Sequence, residues 1–140
     1  MPSAKSPVSW LEIDAIVVSN GNEIMKHILF LESMPDIVAV DEAFMIDGVS
    51  DALKNIYKLG VTIVVASLDL SSTCQPFEEI LSMMPYATKI EKCPAVCTIC
   101  GEDAFYTHKK LDNKIEIEVG GKNLYEPRCW QHHSYMNDRN

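Results

Sequence analysis

The sequence predicts an α/β fold: a small, mostly parallel sheet with flanking helices, followed by a second, β-rich lobe. Three observations predict it. Short apolar runs rich in β-branched residues, at 36–41 and 61–66, alternate with stretches of helical period. From Cys93 onward the chain changes to short extended segments and turns. Two ligand pairs, Cys97-x-x-Cys100 and Cys129-x-x-His132, bracket that second part.

The elements follow in order. Residues 1–10 are rich in Pro and Ser and are expected to form an irregular lead-in. Ile13-Asp14-Ala15-Ile16-Val17-Val18 has strand composition. Ser19-Asn20-Gly21-Asn22 offers a turn and a helix cap, with Glu23 in the first turn. Ile24, Ile28 and Leu31 recur at helical spacing, which predicts a helix over 22–33, ended by Pro35. A strand over 36–41 follows. Val49, Leu53, Ile56 and Tyr57 mark a second helix that stops at Gly60. Residues 61–66 form another buried strand, and Pro76 opens a third helix through Ile80 and Leu81. Residues 88–92 complete the series as a strand. In the lobe, 104–109 and 115–119 have strand character, the latter with strict alternation. The expected organisation is a lead-in at 1–10, an α/β core at 11–92, a metal-bearing lobe at 93–133 and a polar tail at 134–140.

The strand at 36–41 runs directly into Asp41-Glu42. Open parallel sheets bind ligands at the carboxyl ends of their strands. An acid pair in that place suits Mg2+ binding and proton transfer or nucleophile orientation. Taken alone, the pair fits two ordinary surface acids equally well.

The Cys/His pairs are a sharper signal. A two-residue spacer lets a tight turn aim two side chains at one ion, and three Cys with one His make a closed tetrahedral Zn2+ site. Gly101, just after the first pair, suits the bend that such a turn requires. A lobe of roughly 40 residues rarely folds on its own core, so a structural metal is physically sensible. His133 and Cys93 remain rival fourth ligands, and Cys74 lies outside the set.

Composition narrows the field further. The 140 residues are 47% hydrophobic, enough to bury a core, and no apolar run is long enough to span a bilayer. A formal net charge of −8 disfavours bulk binding to nucleic acid or anionic lipid. No secretory leader is visible and the five cysteines are odd in number. Thiols or metal ligation in a reducing, cytoplasmic setting are therefore expected, rather than disulfides.

Several blocks, in order and spacing, resemble one family. They are 14–20, 38–43 (Val-Ala-Val-Asp-Glu-Ala), 64–69 (Val-Val-Ala-Ser-Leu-Asp), 75–81, 92–101, 104–107 and 119–125 (Val-Gly-Gly-Lys-Asn-Leu-Tyr). In these the chain resembles the zinc-containing type II thymidine kinases, from about Ile13 to His132. The resemblance implies a reduced P-loop-kinase-like parallel sheet and a zinc-held lobe that closes over thymidine. By that resemblance Glu42 matches the base that accepts the 5′-hydroxyl proton, and Asp41 the Mg2+-associated acid. Leu68, Phe77 and Tyr125 match positions that enclose thymine and sugar. Val119, Gly120 and Gly121 match the segment that offers backbone groups to the base edge. Zn2+ would be held by Cys97, Cys100, Cys129 and His132.

The departures matter as much. Gly-x-x-x-x-Gly-Lys-Ser/Thr, whose amides cradle phosphate, does not occur in the sequence. Met1-Pro2-Ser3-Ala4-Lys5-Ser6 resembles its tail, but Ala4 replaces Gly and Pro7 breaks the helix that should follow. Phe44, Met45 and Ile46 follow Asp41-Glu42-Ala43, where the family has Gln and aromatics. Ser72 stands where the family has a stacking ring. The expectation is a truncated form that does not phosphorylate thymidine alone and that serves as a nucleoside- or nucleotide-binding or regulatory module. Mg2+ is needed only if phosphotransfer is retained. A protein-interaction module on the same scaffold, or half of a split kinase, is the alternative. A homo-oligomer or partner chain is expected to cover the exposed sheet.

Overall fold

The computed structural model describes residues 12–110 and 124–136. Three α-helices and two parallel strands form the first part. Helix α1 (Gly21–Leu29) begins at Asn20, whose side chain accepts from the Glu23 amide at 3.0 Å. Strand β1 (Ile37–Val40), helix α2 (Val49–Lys58) and strand β2 (Thr62–Val65) follow. β1 and β2 pair in parallel, with Ile37 opposite Thr62 and Val40 opposite Val65. Helix α3 (Glu78–Met83) comes next.

The core lies between these helices and one face of the sheet. Val49, Leu53 and Ile56 of α2 repeat at helical spacing and are fully or nearly buried. They meet Ile24 and Ile28 of α1, Val40 of β1, Val61 and Ile80. Each such side chain contributes roughly 1.5–3 kcal/mol on burial. The amino ends of α1 and α2 touch. Gly21 N donates to Asp47 O at 2.7 Å, and a Cβ on Gly21 would lie 2.3 Å from Gly48 O.

The second part holds two small antiparallel hairpins. β3 (Ala95–Val96) pairs with β4 (Asp103–Ala104), and β5 (Tyr106–Lys109) with β6 (Tyr125–Arg128). Two-stranded sheets are marginal alone. Few residues are buried here, among them Cys97, Ala104 and His133. Lys92 forms an ion pair with Asp69 and so ties the approach to these hairpins to the loop after β2.

Several expectations are corrected. The sheet of the first part has two strands among the described residues, so of the strand segments expected at 13–18, 36–41, 61–66 and 88–92 only the middle two pair in it. Residues 13–18 are not a strand: Ile13, Ile16 and Val17 stay exposed, and the nearby pairing is a single bridge, Asn20 to Asp47. Strand composition suits a pleated, half-buried surface, but a ladder also needs a neighbour. Residues 88–92 are likewise irregular. Helix α1 stops at Leu29 rather than 33, because Leu29, Phe30 and Leu31 meet no packing surface among the described residues and are exposed. The segment 104–109 is divided at Phe105, so that Ala104 pairs with β3 and Tyr106 with β6. The lead-in at 1–10 and the segment 115–119 lie outside the described residues. No helix among the described residues is long and apolar enough to cross a membrane.

Candidate functional site

Four ligand-type side chains converge in the second part. The sulfurs of Cys97, Cys100 and Cys129 and a ring nitrogen of His132 all lie within 4.8 Å of one another. Two turns bring them there. In the first, at the tip of the β3–β4 hairpin, Cys97 N donates to Glu102 O at 2.8 Å and Gly101 N to Cys97 O at 3.0 Å. Gly101 has φ +80, a left-handed backbone that glycine adopts without steric cost. In the second, after β6, the carbonyl of Cys129 accepts from the amides of His132 and His133 at 3.1 and 3.0 Å.

The spacing of the donors suits one small ion. Cys100 Sγ lies 3.7 Å from Cys129 Sγ, and His132 Nδ1 lies 3.2 Å from Cys129 Sγ and 3.9 Å from Cys97 Sγ. A tetrahedron with Zn–S bonds of about 2.3 Å has sulfur–sulfur edges of about 3.8 Å. The cluster could hold a metal ion, and three thiolates with one imidazole form a set that Zn2+ favours. Burial pushes the Cys97 thiol up, but amide hydrogen bonds from Cys129, Cys100 and Ile99 outweigh it and bring the thiol down to about 6. For Cys100 the Glu102 amide lowers the thiol, while burial and the sulfurs of Cys129 and Cys97 raise it on balance.

The rival ligands sit differently. His133 is buried, its Nε2 donates to Thr107 O at 2.8 Å, and its Nδ1 accepts from the amides of Tyr135 and Met136 at 3.3 and 3.4 Å. Both ring nitrogens are engaged with backbone, and the ring packs between Tyr106 and His108. His132, not His133, faces the sulfurs. Cys93 is exposed in the segment before β3 and outside the cluster.

The acids occupy the carboxyl end of β1. Asp41 and Glu42 are both exposed. Glu42 has φ +52, a left-handed backbone that costs a non-glycine residue roughly 1–2 kcal/mol. Neighbouring bonds hold it there: Glu42 N donates to Asp41 Oδ1 at 2.9 Å, and Ala43 N to Ala66 O at 3.3 Å. Phe44 N donates to Ser67 Oγ at 3.0 Å, and Ser67 Oγ in turn donates to Leu68 O at 2.8 Å. Ser67 thus joins the acid-bearing turn to the loop that carries Leu68. Phe77, just ahead of α3, packs its ring on Phe44 with centroids 4.8 Å apart.

Asp41, Glu42, Leu68 and Phe77 are therefore brought to one end of the β1–β2 sheet. Ser72 lies half-buried in the tight loop between Leu70 and Pro76. Tyr125 belongs to β6, with the Lys109 ammonium 5.9 Å from its ring centre. Val119, Gly120 and Gly121 lie outside the described residues. A cavity of about 260 Å³ lies elsewhere, between the amino ends of α1 and α2, and is lined by Asn20, Gly21, Asp47, Gly48 and Asp51 among others.

Sequence reasoning missed the connectors: Ser67, Glu79, the Lys92–Asp69 pair and Arg128. Hydroxyls and charges of this kind carry no periodic signal; the partners of Ser67, Glu79 and Lys92 are distant in the chain, and those of Arg128, though near in sequence, follow no spacing rule.

The family model for thymidine kinase matches residues 12–133. That stretch takes in the acid-bearing strand end and all four members of the Cys/His cluster. The chain belongs to the thymidine kinase family.

Proposed function

We propose that this chain is a pyrimidine nucleoside- or nucleotide-binding member of its family, acting as a binding or regulatory module. It works in the cytoplasm and does not transfer phosphate through these residues alone. The observation that carries the reading is the link from Phe44 N through Ser67 Oγ to Leu68 O, which couples the Asp41-Glu42 turn to the apolar wall beside it. An apolar wall next to acids suits a flat base with a hydroxylated sugar. The Glu42 carboxylate can take a proton from a sugar hydroxyl. Asp41 would serve Mg2+ if transfer occurs. Leu68, Phe77 and Tyr125 would enclose the nucleoside, together with Val119, Gly120 and Gly121.

Phosphate is the missing half. None of the 140 residues form Gly-x-x-x-x-Gly-Lys-Ser/Thr. Transfer would need that loop from another chain or from sequence beyond these residues. In the Cys/His cluster the ion is Zn2+ in a closed, structural site, since four protein ligands leave no open position.

Calorimetric titration of the zinc-loaded protein with thymidine, dTMP, dTTP and ATP, each with Mg2+, tests this. Binding of a thymidine compound without ATP supports the reading. Silence from all four ligands sinks it. ATP binding would show a phosphate site by another route.

A second reading has its own observation. Ile37, Ala39 and Val64 point away from the core on the β1–β2 sheet and are exposed, and Phe30 nearby in sequence is 86% exposed. Parallel sheets are ordinarily covered on both faces. A second copy or a partner protein covering this face would make the chain an interaction module. Light scattering of the purified protein reports self-association, and replacing Ile37 and Val64 with Ser should abolish it.

A further inference from the structure

We infer that Arg128, clamped by Glu126, is a positioning residue for the metal centre: it fixes His132 as the fourth ligand and sets how tightly the ion is held. This rests on the reading of the Cys/His cluster as a metal site.

Arg128 is the last residue of β6, directly ahead of Cys129. Its guanidinium is used on both sides. Nε and Nη2 both donate to Glu126 Oε1, at 2.7 and 2.5 Å. Nη1 donates to the carbonyl of His132 at 3.2 Å. The two side chains are mostly shielded, 22% and 17% exposed, so the pair is less screened than a surface ion pair. Lys110 Nζ approaches the second oxygen of Glu126 at 3.7 Å and helps to hold the carboxylate.

The residue between them serves the other half of the site. Pro127 O accepts from Thr98 N at 3.1 Å, inside the Cys97–Cys100 turn. Three successive residues of β6 therefore grip both halves of the cluster. Pro127 holds the first turn by its backbone, and Arg128 holds the second by its side chain. The grip on the second is the more specific. A planar fork can bind a carboxylate and a carbonyl at once, whereas an ammonium is a single point charge.

Charge points the same way. Three thiolates and one Zn2+ leave a net −1, and Arg128 and Lys110 around the single carboxylate of Glu126 leave a net +1 beside Cys129 that offsets it. Partners one step removed from a metal typically change its affinity by about 10–100-fold when lost.

The test compares the unaltered chain with Arg128→Ala, Arg128→Lys and His132→Ala. Zn2+ affinity is read by competition with a chromophoric chelator, and ligand identity from the absorption of the Co2+ form. Arg128→Ala should bind Zn2+ about 10–100-fold more weakly. Its Co2+ d–d bands should move toward those of His132→Ala, while the thiolate-to-Co2+ charge-transfer intensity stays that of three cysteines. Arg128→Lys should recover part of the affinity. An Arg128→Ala protein within threefold of the unaltered affinity, with unmoved Co2+ bands, overturns the role. So does a loss spread equally over the thiolate bands. If the unaltered chain takes up neither Zn2+ nor Co2+, the metal site itself falls and this role with it. If Arg128→Ala does not fold, Glu126→Gln takes its place and must shift both readouts in the same direction by a smaller amount.

Discussion

The carboxylate of Glu79 caps the helix that starts beside Gly48. One oxygen accepts from Gly48 N at 3.0 Å, the other from Ser50 N at 2.8 Å. Helix α2 has no cap of its own, since Gly48 at its start carries no side chain to accept those amides. The cap comes instead from α3, thirty residues on. Ser50 Oγ and Ser82 Oγ, 2.9 Å apart, add a second bond between the same helices. Negative charge at a helix amino end is favourable in its own right. Glu79→Ala should cost about 1–2 kcal/mol in urea denaturation, and Glu79→Gln clearly less. An Ala variant within 0.3 kcal/mol would mean that water serves these amides equally well.

Gly21 should tolerate no side chain. Its added Cβ would stand 2.3 Å from Gly48 O, 2.8 Å from Gly48 C and 3.0 Å from Ala52 Cβ. Two of those three atoms are backbone, which cannot rotate aside. Relief would require α1 and α2 to separate, opening the contact that buries Ile24 against α2. Gly21→Ala should therefore destabilise by about 1–3 kcal/mol despite its better helix propensity. A neutral or stabilised variant, measured by the same denaturation, would refute the close approach.

The amino end of α1 predicts a pH dependence. Glu23 is held below the usual carboxylate range, first by the Ser19 amide and then by the Ser19 hydroxyl. A folded-state value below the unfolded one favours the ionised form in the fold. The contribution is complete above the unfolded value, near 4.5, and is lost as pH falls through the lower folded value. Glu23→Gln should remove this share of the acid sensitivity and leave the profile above pH 6 parallel to that of the unaltered chain. Identical acid limbs for the two proteins would count against it.

The elements most legible in the sequence are those whose own residues supply their partners. The Val49, Leu53 and Ile56 stripe marks α2, and all three are buried. Asn20 and Glu23 mark the start of α1 and form the cap. The Cys/His spacing marks the cluster that could hold a metal ion, because a turn of fixed length aims both side chains of a pair. What depends on a distant neighbour was not legible. Residues 13–18 have strand composition but no ladder among the described residues, and Phe30 continues the apolar run after α1 but is exposed, with nothing among the described residues to pack on. The spacing already favoured His132; what it could not show is what holds His133 aside, the bond from His133 Nε2 to Thr107 O, 26 residues away. No spacing rule contains that bond.

Metal removal should divide the molecule. The hairpins β3–β4 and β5–β6 are two-stranded and bury little, so the ligand cluster is their main anchor. The first part has its own core around Ile56 and Val49. Cys97→Ser, or a strong chelator, should therefore expose 93–133 to protease within minutes and release one equivalent of Zn2+. Amide exchange should rise in β5 and β6 and stay low in α2. Because the thiols must lose protons to ligate, acid should release the ion as well, with affinity falling as pH is lowered. The Lys92–Asp69 pair predicts a limited echo in the first part, confined to the loop after β2. A Cys97→Ser protein that holds no metal yet keeps β5 and β6 protected would show that the hairpins fold on packing alone. Loss of protection in α2 as well would show that the two parts fold as one unit.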